Sequence, residues 1–266
     1  MSFTANTDAW LERVFDPVSL AALNAKAEML ERLDNKYVVD AAVLGRAAAE
    51  FAKHFDILDI DGRRTFTYET CYFDDSNRQS YFNHHQGRRR RAKVRIRKYI
   101  EAGLCFVEVK LKDKRGITIK KRLPYDPAKF GELDTDALVY VHEVYFEQYR
   151  ERFPYELSRA LDMRYVRKTL VAKDGGERMT IDSRMRFFDP RSSHAVDDSR
   201  FILETKSANG NGIADRILRS LHQHPTKHCS KYCTAVAALN QVAKHNKFLP
   251  ALRKLGLPVA RGEFAA

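Results

Sequence analysis

Polar and apolar residues alternate with a period of two in several stretches of this chain. The pattern is cleanest where Arg91, Lys93, Arg95 and Arg97 interleave with Ala92, Val94 and Ile96. Successive side chains of a strand point to opposite faces, so this alternation predicts a strand with one cationic and one apolar side. Strand-like character extends over residues 65–125, broken by turn signals at 74–77, 102–103 and 115–116. It returns over 164–172, 178–188 and 201–206, and a short strand is expected at 32–39. Helical patterns occupy residues 8–30, 41–55, 127–162 and 230–244, with Pro17 and Pro154 as interruptions. No internal repeat or low-complexity linker divides the chain. The simplest organisation is an N-terminal helical segment (1–28), one mainly antiparallel α+β domain (29–245) and a peripheral tail (246–266).

The content of the polar faces is more telling than the alternation. Glu108, Lys110 and Lys112 oppose Val107, Val109 and Leu111; Thr118, Lys120 and Arg122 oppose Ile117, Ile119 and Leu123. Arg178, Thr180, Asp182, Arg184 and Arg186 form a third such face, Glu204 and Lys206 a fourth, and Arg32, Asp34 and Lys36 a fifth. One amphipathic strand reads as an ordinary solvated sheet. Together with the Arg91–Arg97 face, six faces rich in Arg and Lys would place cations beside cations, which repel unless an anion lies between them. The pattern suggests a barrel with its charged side inward and its apolar side under the helices. Glu108 and Glu204 within these faces would weaken the hold on a bare anion. Their presence fits a hard divalent cation, Mg²⁺ or Mn²⁺, bridging to phosphate, with salt bridges to Arg or Lys as the alternative.

Composition narrows the partner without naming it. The 266 residues carry a formal charge of +12, so an anionic partner is expected, whether nucleic acid, an anionic lipid surface or a phosphorylated small molecule. No run approaches the ~20 apolar residues of a membrane-spanning helix, and Asp8, Glu12 and Asp16 do not fit a signal peptide, so a cytoplasmic location is expected. Cys229 and Cys233 lie near His222, His224 and His228, but the spacing matches no standard zinc signature, and buried helix cysteines are the plainer reading. His84 and His85 read as turn or surface residues. Phosphate-binding Walker and GxGxxG patterns and kinase signatures are absent from the sequence.

The ordered set RLDNKY (32–37), CYFDD (71–75), VRIRKY (94–99), FVEVKLK (106–112), IKKRL (119–123), YVRKTL (165–170), ERMTID (177–182), FILETKS (201–207) and SKYC (230–233) resembles the VTC domain. This is the polyphosphate polymerase domain of the CYTH-like triphosphate tunnel superfamily. The resemblance implies an eight-stranded antiparallel tunnel with flanking helices that takes ATP and a growing inorganic polyphosphate chain, with Mn²⁺ or Mg²⁺ as cofactor. By motif position it implies Lys36, Arg95, Arg97, Lys110, Arg167, Arg178 and Lys231 as phosphate ligands. Lys120, Lys121 and Lys206 are secondary candidates, and Glu204 falls at the family's metal-binding glutamate. Asp34, Val38 and Thr205 depart from the usual motifs without removing a phosphate ligand. Nucleic acid is not expected as a partner, since acidic residues on the cationic faces would repel its backbone. Family members in eukaryotes add membrane domains, which leaves room for a separate membrane-protein partner. A triphosphatase of the same fold, a polyphosphate binder without turnover, and a nucleic-acid binder using Tyr68, Tyr72, Tyr81 and Tyr99 are the competing readings. The Arg88–Arg91 run would guide a polyanion, touch anionic lipid, or simply end a solvated hairpin.

Overall fold

The structure, a computed structural model, describes residues 10–26, 33–113 and 117–259. The positions of Arg32 and of the expected turn at 115–116 lie outside these residues. Eight strands follow one another in a continuous antiparallel path. In spatial order they are β2 (Leu33–Asp40), β11 (Arg200–Ser207), β9 (Arg178–Phe188), β8 (Ser158–Ala172), β4 (Phe66–Asp74), β5 (Ala92–Tyr99), β6 (Leu104–Lys112) and β7 (Thr118–Pro124). Three short strands extend the sheet: β10 (Ser193–Ala195) pairs with β9, and β3 (Phe55–Leu58) joins β8 to the parallel partner β1 (Pro17–Val18).

The eight-stranded path matches the expectation, but the sheet is not closed. Among the described residues β7 and β2 do not pair. The β7 edge carries Lys120, Lys121, Arg122 and Pro124, and charged or proline-bearing edges resist strand addition. The sheet nevertheless curls round on itself. Lys112 on β6 lies in the field of Asp34 and Lys36 on β2, and Lys110 in that of Glu204 on β11. The result is a channel with an open seam.

Alternation sends apolar residues outward, where helices cover them. Val94, Ile96, Val107, Val109 and Leu111 pack under α4 (Thr135–Tyr149) against Ala137, Val141 and Val144. Asp134 starts this helix by accepting a hydrogen bond from the Ala137 N–H at 2.9 Å. Tyr37, Val39, Met179, Ile181, Phe201 and Leu203 pack under α2 (Ala41–His54) and α5 (Ile213–Ser220). Ala-rich α2 begins at Asp40, whose side chain accepts from the Val43 N–H at 2.8 Å. Remaining helices are α1 (Leu20–Lys26), α3 (Gln79–Gln86), α6 (Lys231–Ala238) and α7 (Leu249–Lys254).

A third packing unit lies inside the channel and blocks one end of it. Val38, Tyr72, Met163, Tyr165, Met185, Phe187 and Ile202 enclose Tyr232 and Val236 of α6, with Phe248, Leu252, Leu255 and Leu257 behind them. Residues 246–257 are therefore structural and not a peripheral tail: they supply the floor of the channel. Asp74 fastens this floor to the wall, accepting from the Tyr232 hydroxyl and from the Ser80 and Tyr81 N–H groups at the start of α3.

Three local readings of the sequence change. Residues 79–86 form α3 within the strand-rich region, and His85 is buried against Asn246 (2.8 Å) instead of lying at the surface. The strand expected at 164–172 begins at Ser158, within the stretch read as helix. Strand β9 changes phase at Arg184, whose backbone is left-handed (φ 50°), where its register with β8 shifts. Beyond this bulge Met185 and Phe187 turn into the floor, while Arg184 and Arg186 become exposed and leave the charged face.

Candidate functional site

The other end of the channel holds the charge. Three carboxylates organise it, two fully buried and one partly so, each shared by two or more cations. Glu108, fully buried on β6, accepts from Arg95 Nε at 2.7 Å, pairs with Lys120 of β7, and has Arg97 Nη1 at 3.8 Å. Asp182, fully buried on β9, receives two hydrogen bonds from Arg167 on β8 (2.6 and 2.8 Å) and another from Lys231 at the first turn of α6. Glu204 on β11 has Lys36 and Lys206 each at 3.2 Å. Burial would raise the pKa of all three carboxyls, but the surrounding cations hold each below its ordinary value. They are ionised at neutral pH.

Lys110 has neither hydrogen bond nor ion pair among the described residues, and sits where cations converge. Burial, with the fields of Arg95, Arg97 and Lys206, holds its pKa well below the usual lysine value, and Glu204 offsets this only in part. Register explains why. Lys93, Lys110 and Lys120 stand directly opposite one another on β5, β6 and β7, a row of three like charges. Lys93 escapes partly by donating to Ser230 Oγ (2.9 Å) and to His84 Nδ1 (2.8 Å). His84 accepts as a neutral ring, since burial and the neighbouring Lys93 and Arg91 bring its pKa down to about 2. No protein group among those described plays that part for Lys110.

Aromatic rings separate the cations. Tyr68 and Tyr165 stack at 5.3 Å, with Arg97 and Arg167 each within 6 Å of both rings, and Lys231 lies 5.2 Å from Tyr165. The Tyr165 hydroxyl and Thr180 Oγ1 are buried without a hydrogen-bond partner among the described residues. Both belong to strand faces that line the channel, and an oxygen-rich ligand would satisfy them.

The structure thus brings together Lys36, Arg95, Arg97, Lys110, Lys120, Arg167, Lys206, Lys231, Glu108 and Glu204. Arg178 lies further toward the open end, opposite Lys206, with one guanidinium nitrogen 3.5 Å from Asn24 of α1. Lys121 belongs elsewhere: one residue from Lys120, it points to the other face and lines an outer cleft with Leu111, Val144 and Glu147. Asp182 is the main group that sequence reading underrated, although its alternation with Arg178 and Thr180 carried the signal. Tyr165 carried none, because a strand tyrosine reads as packing, and Tyr68 entered only as a base-stacking ring in the nucleic-acid reading.

As a metal ligand, Glu108 does not fit. Its oxygens are taken by Arg95 and Lys120, and no solvent reaches it. Glu204 fits better: its two lysines stand off at 3.2 Å, and 13% of its side chain remains exposed. Among the described residues there is no group of three or more potential ligands, so a cation here would take one carboxylate and complete its shell from ligand oxygens.

Lys120 makes the site sensitive to pH. Burial lowers its pKa to about 8 despite Glu108. The free channel therefore loses positive charge as pH rises through about 8, while the unfolded chain keeps its proton up to 10.5. In that window this lysine's contribution to stability rises with pH, and attraction for a polyanion falls. We expect affinity for inorganic tripolyphosphate to drop several-fold between about pH 7 and about pH 9. The decline should flatten in Lys120→Arg, measured by titration calorimetry; an equal decline in both proteins would remove Lys120 as its origin.

The family model described as the VTC domain matches residues 31–240. No curated protein matches. Among solved structures, the protein HpAC1 of Hippeastrum, named for adenylyl cyclase and described as having a dominant triphosphatase activity, is 12% identical. The match covers 79% of this chain and 97% of that one, with a TM-score of 0.47. A Bacillus halodurans protein named for adenylate cyclase is 13% identical over 74% of this chain and 94% of its own, TM-score 0.45. PH1819 of Pyrococcus horikoshii is 11% identical over 86% and 92%, TM-score 0.37.

Proposed function

Since the chain belongs to the VTC domain family, we propose that it transfers the γ-phosphoryl group of ATP to a growing inorganic polyphosphate chain inside the basic channel. The observation that carries this reading is the Lys93–Lys110–Lys120 row, like charges held opposite one another beside Arg95 and Arg97. Such a row makes physical sense with a linear polyanion lying across it.

Phosphoryl transfer asks for positioning and charge neutralisation more than for covalent help. Arg97 is only loosely held, by Thr70 Oγ1 at 3.2 Å and Glu108 at 3.8 Å, so its fork is available to phosphate oxygens. Arg95 and Arg167 are fixed by Glu108 and Asp182 and serve as rigid walls. Lys36, Lys110, Lys206 and Lys231 act as point charges along the phosphates, and Arg178 meets them nearer the mouth. A divalent metal on Glu204 would supply charge neutralisation between phosphates. The acceptor is a terminal phosphate with a second pKa of about 6, largely ionised at neutral pH, so no dedicated base is needed.

Incubating the purified protein with ATP and Mn²⁺ and staining the products on a gel for polyphosphate tests this. Long polymer is expected from the wild type and none from Glu204→Ala. Release of free phosphate alone would establish a triphosphatase instead, and no consumption of ATP would defeat both.

A further inference from the structure

On the outside of the channel wall, the apolar pattern of β2 and β11 breaks down toward the mouth. Val39, Phe201 and Leu203 pack under the covering helices, but Asn35, Thr205 and Ser207 share their parity and are polar. These three side chains and the Tyr37 hydroxyl converge on Asp215, the third residue of α5, which is fully buried. One carboxyl oxygen accepts from Asn35 Nδ2 (2.9 Å), Tyr37 Oη (2.7 Å) and Thr205 Oγ1 (2.8 Å). The other accepts from the Gly212 N–H (3.0 Å) and lies 3.5 Å from Ser207 Oγ.

Register puts this grip directly behind the site. Asn35 stands opposite Thr205, between the pairs Lys36–Glu204 and Asp34–Lys206 that belong to the channel face. β2 borders the open seam and, among the described residues, pairs with β11 alone, so Lys36 rides on an edge strand. Apolar packing lets such a strand slide, and a slip of one residue would carry Lys36 out of the channel; hydrogen bonds to one fixed carboxyl resist it. α5 is itself anchored. Glu177, the residue before Arg178, accepts from the Ile213 and Ala214 N–H groups at 2.6 and 3.0 Å, and a Cβ at Gly212 would collide with its carboxyl. A buried carboxyl is a costly filler where a leucine would pack. What it adds is direction.

We propose that Asp215 is a positioning residue of the channel: from behind the wall it fixes Lys36, opposite Glu204, where a phosphate chain can meet it. This rests on the reading of the channel as a phosphate site and assigns control of its affinity to a residue on the far side of the sheet.

Titration calorimetry with inorganic tripolyphosphate tests this by combining Asp215→Asn with two channel variants. An amide has one accepting oxygen and a donating nitrogen, so it cannot answer donors on both sides. Asp215→Asn should weaken tripolyphosphate about tenfold, the usual scale for a residue that orients a binding group, in the otherwise wild-type protein and equally in Arg97→Ala. In Lys36→Ala the same change should cost little, since the group it positions is gone. Equal losses in all three proteins mark a general loosening of the fold and overturn the positioning role, as does no loss in any; the phosphate reading then stands. If Asp215→Asn does not fold, Thr205→Val, which removes a single donor at nearly constant shape, carries the same comparison with smaller losses. If the wild type does not bind tripolyphosphate, the phosphate reading falls and the positioning role with it.

Discussion

Replacing Glu108 by Gln should lower the thermal midpoint by roughly 10 °C, equivalent to ~3–5 kcal/mol, the usual cost of removing one partner from a buried ion pair in a chain of this size. Glu108 is fully buried and answers Arg95, Lys120 and, more distantly, Arg97; without its charge these cations face one another in a closed space. Folding with the carboxylate ionised is favoured because its pKa is depressed. That contribution is fully present above the unfolded value of 4.5 and is lost as pH falls below it. Added polyphosphate should recover part of the lost stability, since a bound anion replaces the missing charge. A melting curve within one or two degrees of the wild type would show that the cations relax into solvent and that the channel is looser than its ion pairs suggest.

Replacing Arg97 by Ala should act differently, with a large loss of turnover and a small loss of stability. Its ion pair to Glu108 is long and its hydrogen bond goes to an uncharged hydroxyl, Thr70 Oγ1, so less structure depends on it than on Arg95, which Glu108 holds at 2.7 Å. If its guanidinium meets charge developing on the transferred group, kcat should fall by roughly 10²–10³, as for other preorganised charge-stabilising donors. Arg97→Lys should recover only part of this, because a point charge cannot reproduce the fork. A kcat within threefold of the wild type, in the same ATP-consumption assay, would move the catalytic role to another cation.

Most of this site was legible as alternation because its strands are regular. Over Ala92–Tyr99, Leu104–Lys112 and Arg200–Ser207 the period of two runs unbroken, and parity alone sorted inward from outward residues. It failed at Arg184, where one left-handed residue shifts the phase and carries two arginines out of the charged face. An alternation argument assumes no bulge, and nothing in the letters Ser183-Arg184-Met185 announces one. It failed also at α3, whose sequence QSYFNHHQ has neither a clear apolar stripe nor a capping residue; Arg78 precedes it in a left-handed conformation, with no side-chain cap. The floor was hidden for another reason. Residues 246–257 are half apolar but too short to declare a core alone, and their burial is decided by the cavity that strands far away leave for them.

Connectivity has a consequence for how the molecule comes together. Among the described residues, β2, first of the eight wall strands in the chain, finds its sheet partner in β11, and Tyr37 is tied to Asp215 across 178 residues of sequence. Val38 reaches still further, to Thr226. Such distant closures carry the largest entropic cost and come late in folding. A nascent chain would hold its early lysines and arginines in water until the last quarter is made, and these cations are then enclosed together in one late event.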